Sequence, residues 1–324
     1  MIKKIKEKII NRYPTFYNIE ISSRCNLKCV MCEYQYWDKQ GSDITFEEFK
    51  SVYSKIPWIA RTLYPHLLKF QLSGIGEVFM NKDALKIMEF IKKKGGYITF
   101  ADNFTLVTEN AAQKMVEFKV DKVVISLDGA TKDVYEKIRR GANFEKVIKN
   151  IKYLVDLKNK TGAKYPELTA RFVPLKENIH ELAEYVKLVK DIGIDKIDIP
   201  DLYVFEQNKD LNFDPNDFRK YLNQAIMAAK ESGVLINAFE DKQHIAECGR
   251  VGTSLYITCE GEILPCNALN QRNVRAVIKD YSFGNIYEKN IADIWDSENY
   301  KKFRKAVTAG NMPKVCEPCY WYKQ

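Results

Sequence analysis

The chain has 324 residues, 46% of them apolar, and a formal net charge of +8. That length and apolar share describe a globular protein with room for a large core, not a disordered or fibrous chain. The charge is spread along the sequence without a basic and aromatic motif, so no nucleic-acid partner is indicated; no apolar run approaches the roughly 18 residues that span a bilayer.

Taken in chain order, residues 1–10 alternate Ile with charged residues, and 1–15 is predicted as a short N-terminal helix, too broken in hydropathy for a signal peptide. Residues 16–21 read as a strand that runs into a cysteine loop, and 45–58 as a helix with Asp43 or Thr45 as N-cap. Strand and helix then alternate. Strands are predicted at 67–72, 97–101, 122–127, 168–173 and 196–199, and helices at 83–94, 108–118, 133–139, 144–159, 179–192 and 214–232. Six strands with intervening helices give an α/β class with a parallel sheet, whose functional loops belong at the carboxyl ends of the strands. The pattern breaks near residues 235–240. Beyond it the chain holds five of its eight cysteines, a hairpin over 256–264 turning at Glu260-Gly261, and helices at 290–296 and 297–309. The expected division is a helix at 1–15, an α/β domain at 16–236 and a small cysteine-rich domain at 237–324. Eight cysteines without a signal sequence suggest metal ligation in a reducing compartment such as the cytoplasm.

The loop Cys25-Asn-Leu-Lys-Cys29-Val-Met-Cys32 places three cysteines at spacings of three and two intervening residues. Three thiolates hold three irons of a four-iron cluster and leave the fourth open to chelate a small molecule and pass it an electron. Structural zinc is the alternative, but it wants four ligands, no histidine lies near, and the next cysteine is Cys248. Two glycines in Gly74-Ile-Gly76-Glu77 allow close approach of backbone to a ligand, and the carboxylate can pair with an ammonium.

These residues resemble the radical S-adenosylmethionine (SAM) superfamily, and within it the enzymes with a SPASM or shorter "twitch" extension; the resemblance covers nearly the whole chain. It implies a partial (β/α)6 parallel barrel with a small C-terminal β-hairpin and helix domain. Cys25, Cys29 and Cys32 would hold a [4Fe–4S] cluster whose open iron takes SAM. Met31 would lie beside the adenine, and Gly74, Gly76 and Glu77 would form the Gly-Gly-Glu-type turn at the methionine ammonium. The stretch Ser126-Leu-Asp128-Gly129, with Arg139 downstream, would contact the SAM end of the site, and Arg139 would face the SAM carboxylate. Many relatives carry Thr-Asn-Gly after the third strand; here Asp102-Asn103-Phe104 stands there, and Phe104 in place of glycine implies a different local turn.

Cys248, Cys266, Cys316 and Cys319 match the ligand layout of a second, auxiliary [4Fe–4S] cluster of the one-cluster type, with zinc again the alternative. Phe283-Gly-Asn-Ile286 and Ile291-Ala-Asp-Ile-Trp295 fit the same layout. Cys259 is left over and is expected either as a small buried residue or as a hydrogen-atom donor to a substrate radical. By resemblance, a flavodoxin- or ferredoxin-type reductant supplies one electron, SAM yields a 5′-deoxyadenosyl radical, and a substrate C–H bond is broken. The compact C-terminus points first to a small polar substrate of the sugar, aminocyclitol or nucleotide-sugar type, oxidised or epimerised. The alternatives are maturation of a ribosomal precursor peptide and a non-catalytic iron–sulfur or zinc scaffold. His66, His180 and His244 belong to no constellation.

Overall fold

A computed structural model describes residues 13–36, 41–202, 204, 207–238, 248, 251–266 and 281–316. In chain order the elements are β1 (Phe16–Ile19), α1 (Phe46–Ser54), α2 (Trp58–Leu63), β2 (Lys69–Gln71), α3 (Ala84–Lys93), β3 (Tyr97–Asp102), α4 (Glu109–Glu117), β4 (Lys122–Ser126), α5 (Lys132–Ile138), α6 (Phe144–Thr161), β5 (Glu167–Arg171), α7 (Leu182–Ile192), β6 (Lys196–Ile199), α8 (Pro215–Ser232), β7 (Leu235–Ala238), β8 (Ser254–Ile257), β9 (Ile263–Leu264), α9 (Ile291–Trp295) and α10 (Glu298–Thr308).

The helix boundaries follow from local chemistry. Thr45 caps α1 in a reciprocal box: its hydroxyl accepts from the Glu48 N–H, and the Glu48 carboxylate accepts from the Thr45 N–H at 2.8 Å. Thr108, Asn143 and Asp214 cap α4, α6 and α8 with their side-chain oxygens. Gly162, Gly193 and Gly233 end α6, α7 and α8 in the left-handed conformation that terminates helices.

Two compact units result. The first comprises residues 1–25, 36–100 and 242–324, and the second 26–35 and 101–241. In the first, the strand order is β3-β2-β1-β8-β9. β1 runs parallel to β2, with Phe16 opposite Lys69, and parallel to β8, with Phe16 opposite Ser254; β8 and β9 are antiparallel. One face of this sheet is apolar: the Tyr17 ring stacks on Phe70 at 5.7 Å, and Tyr53 of α1 meets Phe70 and Phe90 at 6.0 and 5.1 Å. The alternate residues of β1 and its continuation, Asn18, Glu20 and Ser22, are polar and also buried.

The second unit has the order β4-β5-β6-β7, all parallel. Val123, Ile125, Ala170, Phe172 and Ile197 form its core, with Phe172 against Tyr185 of α7 at 4.8 Å. Strands β1 to β6 are each followed by a helix, the expected α/β order with parallel strands.

Two features differ from the sequence-based expectation. β7 (Leu235–Ala238) adds a parallel strand after α8, at the point where the pattern was read as breaking. The first hairpin strand, β8, is not confined to the C-terminal module but pairs with β1. The helix expected at the N-terminus falls on residues 1–12, outside the described residues. Among the described residues no helix is long and apolar enough to cross a membrane.

Candidate cluster and cofactor site

In the first unit the loops after β1 and β2 leave the same edge, because the two strands are parallel and in register. The chain enters the cysteine loop through a polar clamp. The Ser22 hydroxyl donates to Asp43 at 2.7 Å; Arg24 donates through Nε to Asp43 at 3.0 Å and through its terminal nitrogen to the Met80 carbonyl at 2.8 Å. Asp43, one of two candidate caps for α1, is thus committed to holding this loop, and Thr45 does the capping.

The Gly74–Glu77 turn rests on the same segment. The Glu77 N–H donates to the Arg24 carbonyl at 2.8 Å, and the Glu77 side chain is buried. A Cβ on Gly76 would sit 2.5 Å from the backbone oxygens of Ser22 and Arg24, and one on Gly74 would sit 2.3 Å from the Glu20 side chain. Both glycines are therefore required by the approach of one loop to the other. Gly76→Ala is expected to cost about 1–3 kcal/mol, because the clash is with backbone; chemical denaturation measures it, and wild-type stability would show that the contact yields.

Glu20, which the sequence did not single out, lies at the centre of this arrangement. Fully buried, its carboxylate accepts from the Ile75 N–H at 3.0 Å, the Tyr256 hydroxyl at 3.2 Å and the Cys259 N–H at 3.2 Å. The Cys259 thiol donates to the Glu20 carbonyl at 3.1 Å. The signal available was a carboxylate in phase with Asn18 and Ser22 on a strand of a parallel sheet, where both faces are usually apolar.

In the second unit the remainder of the cysteine loop lies along the end of α5. The Lys28 N–H donates to the Arg140 carbonyl at 3.0 Å and the Val30 N–H to the Ile138 carbonyl at 2.9 Å. The Cys32 N–H closes a turn onto the Cys29 carbonyl at 3.0 Å. Met31 packs with Ile138, Leu175 and Leu202, and its carbonyl accepts from the buried Asn208 amide at 3.2 Å. Asn103 donates to the Asn26 side chain at 3.2 Å and accepts from the Thr105 N–H at 2.9 Å.

Phe104 stands in the turn after β3. It takes φ 59°, the left-handed conformation a glycine would favour, with its ring fully buried. The Asp102 carboxylate accepts its N–H at 2.8 Å, and Asn150 donates to its carbonyl at 2.8 Å. These bonds and the ring's burial offset a conformational cost of about 1–2 kcal/mol.

Asp128 and Arg139 form a buried ion pair at 2.6 Å. Asp128 also accepts from the Val173 N–H at 2.7 Å, and the other terminal nitrogen of Arg139 lies 3.8 Å from the Cys29 sulfur. Ser126 ends β4, opposite Arg171 of β5.

The C-terminal module is built on the β8–β9 hairpin. Gly261 turns it at φ 85°, with Tyr287 and Asn285 packed where a Cβ would be. Phe283 stacks on Tyr300 at 4.2 Å, Trp295 meets Tyr300 at 5.2 Å, and the Arg304 guanidinium lies 3.7 Å over the Trp295 ring. Both motifs noted in the sequence, 283–286 and 291–295, thus serve this small core. Cys266 follows β9 and lines a cavity of about 400 Å³ with Asn18, Gln71 and Tyr256. Val315, beside Cys316, packs on Tyr256 and Leu264. Cys248 is described, whereas Cys319 and His244 lie outside the described residues.

The residues present fit iron–sulfur clusters. Cys25, Cys29, Cys32, Cys248, Cys266 and Cys316 supply thiol side chains, the donors such clusters take. The Tyr34 N–H donates to the Cys32 sulfur at 3.4 Å and Arg139 to the Cys29 sulfur, and iron–sulfur clusters use such hydrogen bonds to their ligand sulfurs. Among the described residues no three His, Cys, Asp or Glu side chains converge to metal-binding distance, so the fit rests on donor chemistry and on these contacts. Burial pushes the Cys32 thiol up to about 12, so ligation there displaces a proton.

The family model of the radical SAM superfamily matches residues 19–189, and that of an iron–sulfur cluster-binding domain, SPASM, matches 248–320. The chain belongs to the radical SAM superfamily. It is a radical SAM enzyme of the SPASM type, whose cofactors are SAM and two iron–sulfur clusters. It is 28% identical over 317 residues to the tungsten-containing aldehyde ferredoxin oxidoreductase cofactor-modifying protein of Pyrococcus furiosus, covering 93% of this chain and 86% of that one. It is 25% identical over 313 residues to the antilisterial bacteriocin subtilosin biosynthesis protein AlbA of Bacillus subtilis, covering 94% of this chain and 64% of AlbA. The fold matches that of Streptococcus suis SuiB with a TM-score of 0.71 at 17% identity, over 100% of this chain and 79% of SuiB.

Proposed function

We propose that this radical SAM enzyme matures a polypeptide, breaking a C–H bond at a side chain or α-carbon of a precursor peptide. The observation that carries the reading is the extent of the similarity to the bacteriocin biosynthesis protein AlbA, which spans both the barrel and the cysteine-rich module. SuiB, of like fold, has been solved bound to the precursor peptide SuiA. The reading replaces the small polar substrate expected from the sequence. A peptide can be bound by the barrel or brought by a separate protein.

Cys25, Cys29 and Cys32 would hold the cluster that takes SAM. Gly74, Gly76 and Glu77 would receive the methionine ammonium, with Met31, Asn103 and Ser126 lining the rest of the cofactor and Asp128 and Arg139 supporting it. Cys248, Cys266, Cys316 and Cys319 would hold the auxiliary cluster in a functional module of residues 237–324, apart from the barrel at 16–236. When bound and reduced by a flavodoxin- or ferredoxin-type protein, this cofactor pair supplies hydrogen-atom abstraction. The chain's own task is to fix the target C–H bond and exclude water. Cys259 is the candidate donor of a returning hydrogen atom.

The test is anaerobic reconstitution with iron and sulfide, then dithionite, SAM and short peptides encoded beside the gene. The expected result is 5′-deoxyadenosine in step with a modified peptide. A two-hydrogen mass loss marks a cross-link or oxidation. Solvent deuterium at an α-carbon, absent in Cys259→Ala, marks epimerisation with this thiol as donor. Turnover with sugars and not with peptides would reject the reading. A second reading, modification of an oxidoreductase cofactor, rests on the 28% identity to the Pyrococcus protein; it predicts turnover only when the cofactor or its carrier enzyme is added.

A further inference from the structure

We propose that Arg139 sets the reduction potential of the SAM-binding cluster by acting on the sulfur of Cys29. Arg139 is 8% exposed, and its guanidinium bridges two groups, the Asp128 carboxylate at 2.6 Å and the Cys29 sulfur at 3.8 Å. Neither end is free to move away. Asp128 is itself fixed by the Val173 N–H, and its carbonyl accepts from the buried Asn178 amide at 3.0 Å. Backbone bonds from Lys28 and Val30, the residues either side of Cys29, join this part of the loop to the end of α5 that carries Arg139.

The sign follows from electrostatics. Reduction adds a negative charge to the cluster. A buried positive charge and an N–H donor on a ligand sulfur stabilise the reduced state more than the oxidised one, and low local dielectric strengthens both. Asp128 opposes this from the far side of the guanidinium. Arg139 and Asp128 therefore pull the potential in opposite directions, and a residue that merely held the loop would not do that. The assignment differs from a role for Arg139 as partner of the SAM carboxylate.

The experiment is a redox titration of the full chain, reconstituted without SAM, followed by the electron paramagnetic resonance signal of the reduced cluster at matched iron and sulfide content. Arg139→Gln is expected to shift the one-electron equilibrium about tenfold toward the oxidised cluster, about 59 mV more negative. Arg139→Lys should shift it less, and Asp128→Asn should shift it the other way. If Arg139→Gln fails to hold iron, the other two variants decide. An unmoved potential in Arg139→Gln with weakened SAM binding would overturn the proposal in favour of carboxylate binding. Shifts of one sign in both Arg139→Gln and Asp128→Asn would overturn it in favour of a structural role. The proposal rests on family membership and not on the substrate, so failure of peptide turnover leaves it standing.

Discussion

Asp128→Ala should lower the unfolding free energy by about 3–5 kcal/mol, the usual cost of removing one partner from a buried ion pair. The substitution takes the carboxylate from Arg139, itself 8% exposed, and the acceptor from the Val173 N–H. Most of the loss comes from the buried charge that loses its counter-ion, because the net worth of a buried pair is small once desolvation is counted. Two controls separate these contributions. Asp128→Asn keeps an oxygen for Val173 and should lose less. Asp128→Ala combined with Arg139→Leu removes that buried charge and should recover part of the loss, giving a coupling well above the additivity error of about 0.5 kcal/mol. Urea denaturation of the apo-protein measures all of these, and additive losses in the double variant would reject the ion-pair account.

Glu20→Ala should cost about 3 kcal/mol or more. Its carboxylate satisfies the Ile75 N–H, the Cys259 N–H and the Tyr256 hydroxyl, and each buried donor left without an acceptor loses about 1–3 kcal/mol. Glu20→Gln is the informative companion. A carboxamide keeps one acceptor oxygen but turns an NH2 toward one of the two backbone N–H donors, so it should fall between wild type and alanine. If the amide group faces Ile75, the Gly74–Glu77 turn loosens and SAM binding should weaken; isothermal titration of SAM to the reconstituted protein reads this. Stability near wild type in Glu20→Ala would mean that water replaces the carboxylate.

The elements legible in the sequence are those written locally. Thr45 with Glu48, Asp214 ahead of Pro215, and glycines at 162, 193 and 233 fixed the helix ends to within a few residues, because capping and left-handed turns are decided by neighbours in the chain. The cysteine spacing and the Gly74–Glu77 turn were legible for the same reason. What could not be read was partnership over distance. Ser254–Ile257 is a short, mostly apolar strand that fits any open sheet edge, and nothing in it names β1 as its partner. Glu20 was not singled out for the same reason: its partners Ile75, Tyr256 and Cys259 lie far along the chain. At Phe104, residue type alone argued against a left-handed turn, and bonds from Asp102 and Asn150 with full burial of the ring outweigh that local preference.

The pairing of β1 with β8 also orders events during synthesis. Phe16 finds its partner in Ser254, so one edge of the first strand stays unpaired while the whole of the second unit leaves the ribosome. Contacts of such long sequence separation form late and slowly, and an unpaired strand edge invites association in the meantime. The second unit's β4 to β7 pairings need none of the C-terminal segment and can settle first. Nascent chains stopped before residue 254 should thus expose the edge that launches the cysteine loop, which makes this stage of translation the one most open to chaperone capture and to oxidation of the three thiols.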